Sequence, residues 1–441
     1  MESPNLMQKA ISRRSFGRGA LGLGLGLAGL PAILSACGNG ASTEGKLNVL
    51  AAAAPDPAPV GVANFGTAAE ESFAKWQSDH QIEVAYEALP WPQMHDRIAT
   101  TFASGADGPD VIYMSGWVPE FSGHLLDLGG LMPKELVSDM PQSAIETTSW
   151  QGQNKGMIFT NSVLSLYYNT EHFEKAGFKG APANWQQFKE YVGALNNGDQ
   201  YGFVLNFGDP AGVGGTASYW MVFLQQAGGT MYGPDGMPAF NTPEGVDALQ
   251  FMMDLQKAGG DPASISYVGI NDAASVFLSG KASMMFNWPL TYAQAQKPDQ
   301  SSIAGKVSAA VLPAGPAGTA SLDGADSWSV ANTTKNQELA SQLIQFYLSP
   351  EQQKAQVLET GWLPILNSVL ADPEVQKAAP NAQVILEQRK SPCNSFLTPD
   401  YTQVTQAIGS EVQAALQGNK TAAQAIKDSD QAVRAIVSAR S

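Results

Sequence analysis

Hydrophobic positions along this chain repeat with two periods, one typical of strands and the other of helices. Residues 163–168 form an apolar run of strand length, and residues 185–195 carry apolar side chains at helical spacing. Asn184, with a glutamine three residues later, makes a capping box ahead of that helix, and Gly177 ends a shorter helix before it. The stretch 161–195 is therefore predicted to be a strand, a short helix, a loop and a long helix.

Strand and helix patterns follow one another through most of the chain. A strand, a helix and a second strand in succession form the βαβ unit of a parallel sheet. The fold class is therefore predicted to be α/β with doubly wound sheets, and 441 residues are enough for two separate cores. The predicted strands include 46–54, 82–88, 111–114, 282–286 and 307–312.

Composition and charge narrow the classes of function. Apolar residues make up 44% of the chain and charged residues 15%, a profile typical of a globular protein, and the formal net charge is −15. A net negative chain argues against nucleic acid, anionic lipid or a polyanionic substrate as the main partner. We expect no nucleic-acid partner and a neutral or cationic ligand.

The first 37 residues have the pattern of an export signal. Arg13 and Arg14 match the twin-arginine pattern, and a weakly hydrophobic run follows them at 20–33. That run is too short and too rich in glycine for a membrane-spanning helix. It ends in Leu-Ser-Ala-Cys, which resembles a bacterial lipobox, so Cys37 is predicted to become a lipidated N-terminus and 38–45 a spacer. We expect a protein tethered to the membrane outside the cytoplasm.

Several short motifs occur in an order that resembles one known family. They are Pro-Asp-Val at 109–111, Leu-Tyr-Tyr-Asn at 166–169, Phe-x-x-Ala-Gly at 173–177, Pro-x-x-Trp at 182–185 and Phe-x-x-Gly-Lys-x-x-Met at 277–284. With these motifs the chain resembles the sugar-binding, maltose-binding-protein type of extracellular solute-binding protein that serves ABC importers. The resemblance implies a two-lobed periplasmic-binding-protein-like fold with a ligand cleft and several hinge crossings. It also implies an ABC permease as partner, and we expect a monomer.

The same resemblance divides the chain. The family crosses from one lobe to the other in the segment that corresponds to 161–195, and we expect a return crossing near 307–330 and a third crossing at 361–364. The predicted parts are a signal peptide with its lipidated cysteine at 1–37, the spacer at 38–45, lobe 1 at 46–160 plus about 314–360, and lobe 2 at about 161–313 plus 361–441.

A sugar ligand sets clear requirements on its site. It presents an apolar C–H face and a ring of hydroxyl groups, so it needs aromatic planes and hydrogen-bonding side chains. In a doubly wound lobe the ligand lies beyond the carboxyl ends of the strands, which selects the loops there together with the hinge segments. The candidate ligand-binding residues in these places are Asp56, Trp91, Trp117, Asn161, Trp220, Trp288, Asp326, Trp328, Trp362 and Tyr401.

Packing is the alternative for some of these aromatic residues. Trp91, Trp117 and Trp288 lie in loops next to proline or glycine, where no local pattern requires a large apolar side chain, so ligand contact is favoured. For four others packing inside or between the lobes is an equal alternative. These are Trp220, Trp328, Trp362 and Tyr401.

One departure from the family concerns specificity. Maltose binders place a charged pair just past the strand predicted at 111–114. This chain has Gly116, Trp117 and Val118 there. Maltose specificity is therefore not carried over, and a more aromatic, less charged cleft is expected.

Enzyme functions find little support in the residues. The glycine-rich loop 212–217 follows Asp209 and Pro210 instead of a strand, and the histidines lack metal-ligand spacing, so no cofactor, metal or catalytic residue is expected. Nothing marks the two opposed carboxylates of a glycosidase, but a lipid-anchored glycoside hydrolase stays open as one alternative. The same fold with a polyamine, metal chelate or peptide ligand is another. Cys393, without a nearby histidine, is expected to be an idle, buried thiol.

Overall fold

The computed structural model describes residues 45–53, 66–105, 108–211, 215–393 and 398–440. The predicted export signal with Arg13 and Arg14, the lipidation site Cys37 and the candidate Asp56 lie outside these ranges. The strands are β1 (Lys46–Ala53), β2 (Glu83–Pro90), β3 (Val111–Met114), β4 (Ser149–Trp150), β5 (Gln153–Asn154), β6 (Met157–Ile158), β7 (Ser165–Asn169), β8 (Met284–Asn287), β9 (Val307–Ala310) and β10 (Ser327–Val330).

The helices occupy most of the remaining described chain. They are α1 (Gly66–His80), α2 (Trp91–Ser104), α3 (Val118–Phe121), α4 (Lys134–Ser138), α5 (Gln142–Thr147), α6 (Thr170–Ala176), α7 (Trp185–Leu195), α8 (Thr216–Ala227), α9 (Pro243–Gly259), α10 (Ile270–Leu278), α11 (Pro289–Ala295), α12 (Gln337–Tyr347), α13 (Pro350–Thr360), α14 (Asn367–Leu370), α15 (Pro373–Ala378), α16 (Ala382–Gln388), α17 (Tyr401–Leu416) and α18 (Ala422–Ser438). None of these helices is long and apolar enough to span a membrane.

Side-chain caps begin several helices where the sequence predicts them. Asn184 Oδ1 accepts a hydrogen bond from the backbone N of Gln187 at 3.0 Å ahead of α7, and Thr421 caps α18 in the same way at 3.2 Å. The box at Asn184 is not reciprocal, because Gln187 Oε1 accepts instead from the backbone N of Ala183. Gly177 ends α6 with a φ of +78°, a left-handed angle that glycine adopts without strain.

The first sheet has five strands in the order β2-β1-β3-β10-β6. β1 is parallel to both β2 and β3, and α1 and α2 connect these three strands as βαβ units. β10 joins from a distant part of the chain and runs antiparallel to β3 and β6. The predicted α/β class is confirmed, and the carboxyl ends of β1, β2 and β3 meet at one edge of the sheet.

The second sheet has the order β8-β7-β9, with β7 antiparallel to both neighbours. Residues 201–204 extend it through isolated parallel bridges to the stretch that contains β8, so this sheet is mixed. β7 begins at Ser165 and not at the predicted residue 163. The reason is tertiary, because Val163 already pairs with Asp323 outside this sheet.

The segments 158–164, 322–327 and 363–365 lie side by side. Backbone hydrogen bonds of 2.7–3.1 Å join the first segment to each of the other two. The first segment leads from β6 of the first sheet to β7 of the second, and the second segment leads into β10 on the way back. Hinge crossings are predicted in these three places, while the exact division into lobes stays a prediction.

Asp110 connects three parts of the first sheet. Its side chain is 2% exposed and accepts from the backbone N of Asn48 on β1 at 2.8 Å and from the Thr334 hydroxyl beyond β10. Its backbone O accepts from the N of Ala331 at 3.0 Å. A buried donor that loses its acceptor costs more free energy than the bond itself contributes, so this carboxylate is a structural residue.

We expect Asp110→Ala to lower the free energy of unfolding by about 2–4 kcal/mol, because it leaves the donors of Asn48 and Thr334 without an acceptor. Urea denaturation measures the change. Asp79→Ala is the matched control, since Asp79 forms a surface ion pair with Lys75, and its effect should stay under about 0.5 kcal/mol. Equal effects of the two substitutions would contradict the structural role.

Candidate ligand-binding site

Trp91 and Trp117 form a stacked pair at the carboxyl edge of the first sheet. Their ring centroids are 5.4 Å apart with an interplanar angle of 29°. Trp91 is the first residue of α2, directly after β2, and Trp117 precedes α3 in the loop after β3. Trp91 is partly exposed and Trp117 is only 3% exposed, so Trp91 presents its free surface while Trp117 supports it.

A hydrogen-bonded carboxyl group lies next to this aromatic pair. Asp326 accepts from Ser162 Oγ at 2.6 Å and from the hydroxyl of Tyr113 near the end of β3. The Trp91 side chain lies close enough to the same tyrosine to lower the pKa of its hydroxyl group, so the carboxyl group and the indole meet at Tyr113. Burial raises the pKa of Asp326 to about 6, and the nearby charge of Asp323 acts in the same direction.

The turn before β10 gives Asp326 this position. Asp323 Oδ1 accepts from the backbone N of Ala325 at 3.1 Å. Ala325 has a φ of +57°, a left-handed conformation that side chains disfavour. Strain of this kind is commonly retained where it orients a functional group, here the Asp326 carboxyl group.

Tyr401 of α17 and Asp209 of the loop before α8 lie near Glu120 of α3, the helix that follows Trp117. Tyr401, the first residue of α17, is 2% exposed, hydrogen-bonds with Ser218, and is close enough to Asp209 and Glu120 to feel their charges. Burial raises the pKa of the Tyr401 hydroxyl and also that of the partly exposed Asp209 carboxyl group. The structure thus brings Tyr401 near acidic groups from two different parts of the chain.

Three further candidates take separate positions. Trp288 directly follows β8 and is partly exposed, and its backbone N donates to Asn287 Oδ1 at 2.8 Å. Trp362 is partly exposed. It lies between the end of α13 and the segment 363–365, which it directly precedes. Asn161 is 1% exposed and donates through Nδ2 to Pro364 O at 2.5 Å, so its amide joins two hinge segments.

Trp220 and Trp328 are core side chains in this structure. Both have an exposed fraction of 0%. Trp220 Nε1 donates to Gly245 O at 3.1 Å, and its ring meets Phe240 edge to face. Trp328 stacks on Phe159 with ring centroids 5.3 Å apart. Both residues therefore pack in the core, which is the alternative that the sequence left open. Neither offers a surface to a ligand in this structure.

Sequence reasoning missed several side chains of this region. Tyr113 lies one residue before the end of β3, so the rule that selects the carboxyl ends of strands could have found it. His95, Glu120 and Thr402 carry no local signal, because they meet only in the tertiary structure. In the part of the chain that the structure describes, no group of three or more His, Cys, Asp or Glu side chains is arranged to hold a metal ion.

The chain matches the family of bacterial extracellular solute-binding proteins over residues 61–354. This match spans more than half of the chain, and the protein belongs to that family. A probable ABC transporter-binding protein of Deinococcus radiodurans is 29% identical over 289 residues, which are 63% of this chain and 67% of the relative. The protein is therefore an extracellular solute-binding component of an ABC transporter.

Similar proteins include sugar binders. A galactooligosaccharide-binding protein of Bacillus subtilis is 22% identical over 382 residues, which are 84% of this chain and 87% of the relative. The maltose-bound structure of T. maritima MalE3 is 27% identical, with a TM-score of 0.79 over 89% of this chain and 99% of that one. The predicted periplasmic-binding-protein-like fold is confirmed, and these relatives are binding proteins.

The raised pKa of Asp326 predicts a pH-dependent contribution to stability. Below pH 3.8, the pKa of this group in the unfolded chain, the carboxyl group is protonated in both the folded and the unfolded state. Above that pH the unfolded state loses its proton first, so the contribution of Asp326 to stability is lost as the pH rises through about 6, the pKa in the folded state. Relative to Asp326→Asn, the wild type should therefore lose up to about 3 kcal/mol of unfolding free energy between pH 4 and pH 7. Urea denaturation of both proteins across this pH range measures the difference between their free energies of unfolding. The contributions of the other carboxyl groups are the same in both proteins and cancel in this difference. A constant difference would contradict the raised pKa.

Proposed function

We propose that the protein is the membrane-tethered receptor of an ABC importer and binds a sugar or an oligosaccharide. The observation that carries the proposal is the stacked pair of Trp91 and Trp117 beside the Asp326 carboxyl group. The exposed surface of Trp91 suits the C–H face of a sugar ring, and Asp326 with Tyr113 can exchange hydrogen bonds with its hydroxyl groups. The named ligands of the maltose-bound and galactooligosaccharide-binding relatives support the same class of ligand.

The proposed mechanism is hinge closure. The two sheets form the centres of two lobes, and the adjacent segments 158–164, 322–327 and 363–365 form the hinge between them. Trp91 with Trp117 and Asp326 belongs to one side, while Trp288 and Tyr401 belong to the other. A sugar favours the closed form only through contacts that the open form lacks, so it must touch both sides. The closed form then delivers the sugar to the permease.

The ligand class is tested with a thermal-shift panel of mono-, di- and oligosaccharides, polyamines and peptides. A sugar at about 100 times its dissociation constant should add about 2.7 kcal/mol of stability and raise the melting temperature. The sugar should be recovered intact after binding. A shift caused only by a polyamine or peptide would replace the sugar proposal, and cleavage of the sugar would favour a glycoside hydrolase.

For the sugar that binds, Trp91→Ala and Trp288→Ala should each weaken affinity by about 1–3 kcal/mol, because each removes an aromatic plane. Isothermal titration calorimetry measures the affinity. Trp76→Ala is the matched control, since the ring contacts of Trp76 are with Phe346 and other residues outside the proposed ligand surface, and it should leave the affinity unchanged. Unchanged affinity in both site variants would remove the stacking proposal.

Membrane attachment is proposed to depend on Cys37 after export through Arg13 and Arg14. We expect Cys37→Ser to move the protein from the membrane fraction to the soluble extracytoplasmic fraction, because the acyl chains supply the attachment. Cys393→Ser is the control, since Cys393 is buried and burial raises its thiol pKa to about 12. Retention of both variants in the membrane fraction would contradict a lipid anchor at Cys37.

A further inference from the structure

Three side chains from distant parts of the chain meet beside the aromatic pair. His95 lies on α2, Glu120 on α3 and Thr402 on α17. His95 Nε2 is 2.9 Å from Glu120 Oε1 and 3.0 Å from Thr402 Oγ1. The Thr402 hydroxyl in turn donates to Glu120 Oε2 at 3.2 Å. Each pair of the three is therefore within hydrogen-bonding distance.

The surroundings of His95 favour its protonated form. Its second nitrogen, Nδ1, is 3.3 Å from Asp96 Oδ1, so both ring nitrogens face carboxylate oxygens. A neutral imidazole has one N–H, and its lone pair would then point at one of these oxygens. Only the imidazolium can donate to both. The hydrogen bond with Glu120 raises the pKa of His95, with a smaller contribution from Asp96, although burial opposes the shift.

The His95 ring also supports the proposed ligand surface. It meets Trp117 edge to face, with ring centroids 5.6 Å apart, and Trp117 stacks on Trp91. Phe121 of α3 lies 5.5 Å from the same imidazole ring. The imidazole of His95, the ring of Trp117 and the ring of Trp91 therefore form a continuous row of contacts that ends at the exposed surface of Trp91.

Thr402 belongs to the other side of the proposed cleft. Its helix, α17, packs against α8, α9 and α18. Gln413 of α17 donates to Phe207 O at 2.7 Å, and Gly409 lies so close to Pro210 that an added Cβ would be 1.8 Å from the Pro210 carbonyl oxygen. By contrast, α2 packs against β1 and β2 of the first sheet.

We propose that His95, Glu120 and Thr402 form a clasp between the two lobes, which closure completes and which is strongest while His95 is protonated. His95 is thus a positioning residue for Trp117 and for the closed form. The inference rests on the hinge closure of the proposed function. The charged and titratable groups near the clasp are Asp96 on α2, Glu120 on α3, and Tyr401 with Asp209 on the opposite side. Loss of one His95 proton removes the positive charge that strengthens the bond with Glu120, which weakens the clasp.

The test measures lobe closure without any ligand, by small-angle X-ray scattering of the purified protein at pH 5.5 and pH 8.5. The wild type should have a smaller radius of gyration at pH 5.5, because the clasp shifts the population toward the closed form. His95→Gln and Thr402→Val should lose this difference. Thr402→Val keeps the side-chain volume and removes only the hydroxyl. His80→Gln, at an exposed histidine of α1 whose ring nitrogen contacts the backbone O of Trp76, should behave like the wild type.

A radius of gyration independent of pH in the wild type, or the same pH dependence in His95→Gln, would overturn the clasp. The sugar that binds in the thermal-shift panel gives a second readout. Its dissociation constant should rise about tenfold from pH 5.5 to pH 8.5 in the wild type but not in Thr402→Val, a change in the range of one hydrogen bond to a charged group. A pH-dependent radius without any sugar binding supports the clasp and contradicts the proposed ligand class. Sugar binding together with a radius of gyration that does not depend on pH supports the proposed ligand class and contradicts the clasp.

Discussion

The backbone hydrogen bonds among the three adjacent segments 158–164, 322–327 and 363–365 are the constraint on which the rest of the structure depends. Each segment is largely buried, so its N–H and C=O groups need partners, and the segments supply them to one another. This pairing fixes where the chain leaves the first sheet and where it returns. It also places Ser162 and Asp326 side by side, and their 2.6 Å hydrogen bond lies at the edge of the aromatic pair.

Two aspartates in the same turn show how the environment sets the state of a carboxyl group. Asp323 Oδ2 is 3.0 Å from Arg389 Nη1, so its charge is balanced by a buried cation. Asp326 accepts from the hydroxyl groups of Ser162 and Tyr113, which lower its pKa, but burial outweighs them and raises the pKa to about 6. A carboxyl group with a pKa of about 6 is half protonated at that pH, so it can donate as well as accept hydrogen bonds with hydroxyl groups.

Aromatic side chains in this protein divide by their relation to the strand ends. Trp91 and Trp288 follow β2 and β8 directly and keep exposed surface, whereas Trp220 and Trp328 lie within a helix and a strand and are fully buried. A chain with 44% apolar residues must place most aromatic groups in its cores. Trp91 and Trp288 follow strand ends, which is where ligands lie in α/β proteins.

The sequence by itself determined the local elements and their order. Asn184 and Gly177 act through hydrogen bonds and backbone angles within a few residues, so α6 and α7 could be predicted, and the α/β class followed from alternating periods. The strand-end rule likewise pointed to Trp91, Trp117 and Trp288. Only the tertiary structure decided that Trp220 is buried, that β7 begins at Ser165, and that His95 meets Thr402. These outcomes depend on contacts between residues far apart in sequence, and no local pattern encodes which distant side chain will be the neighbour.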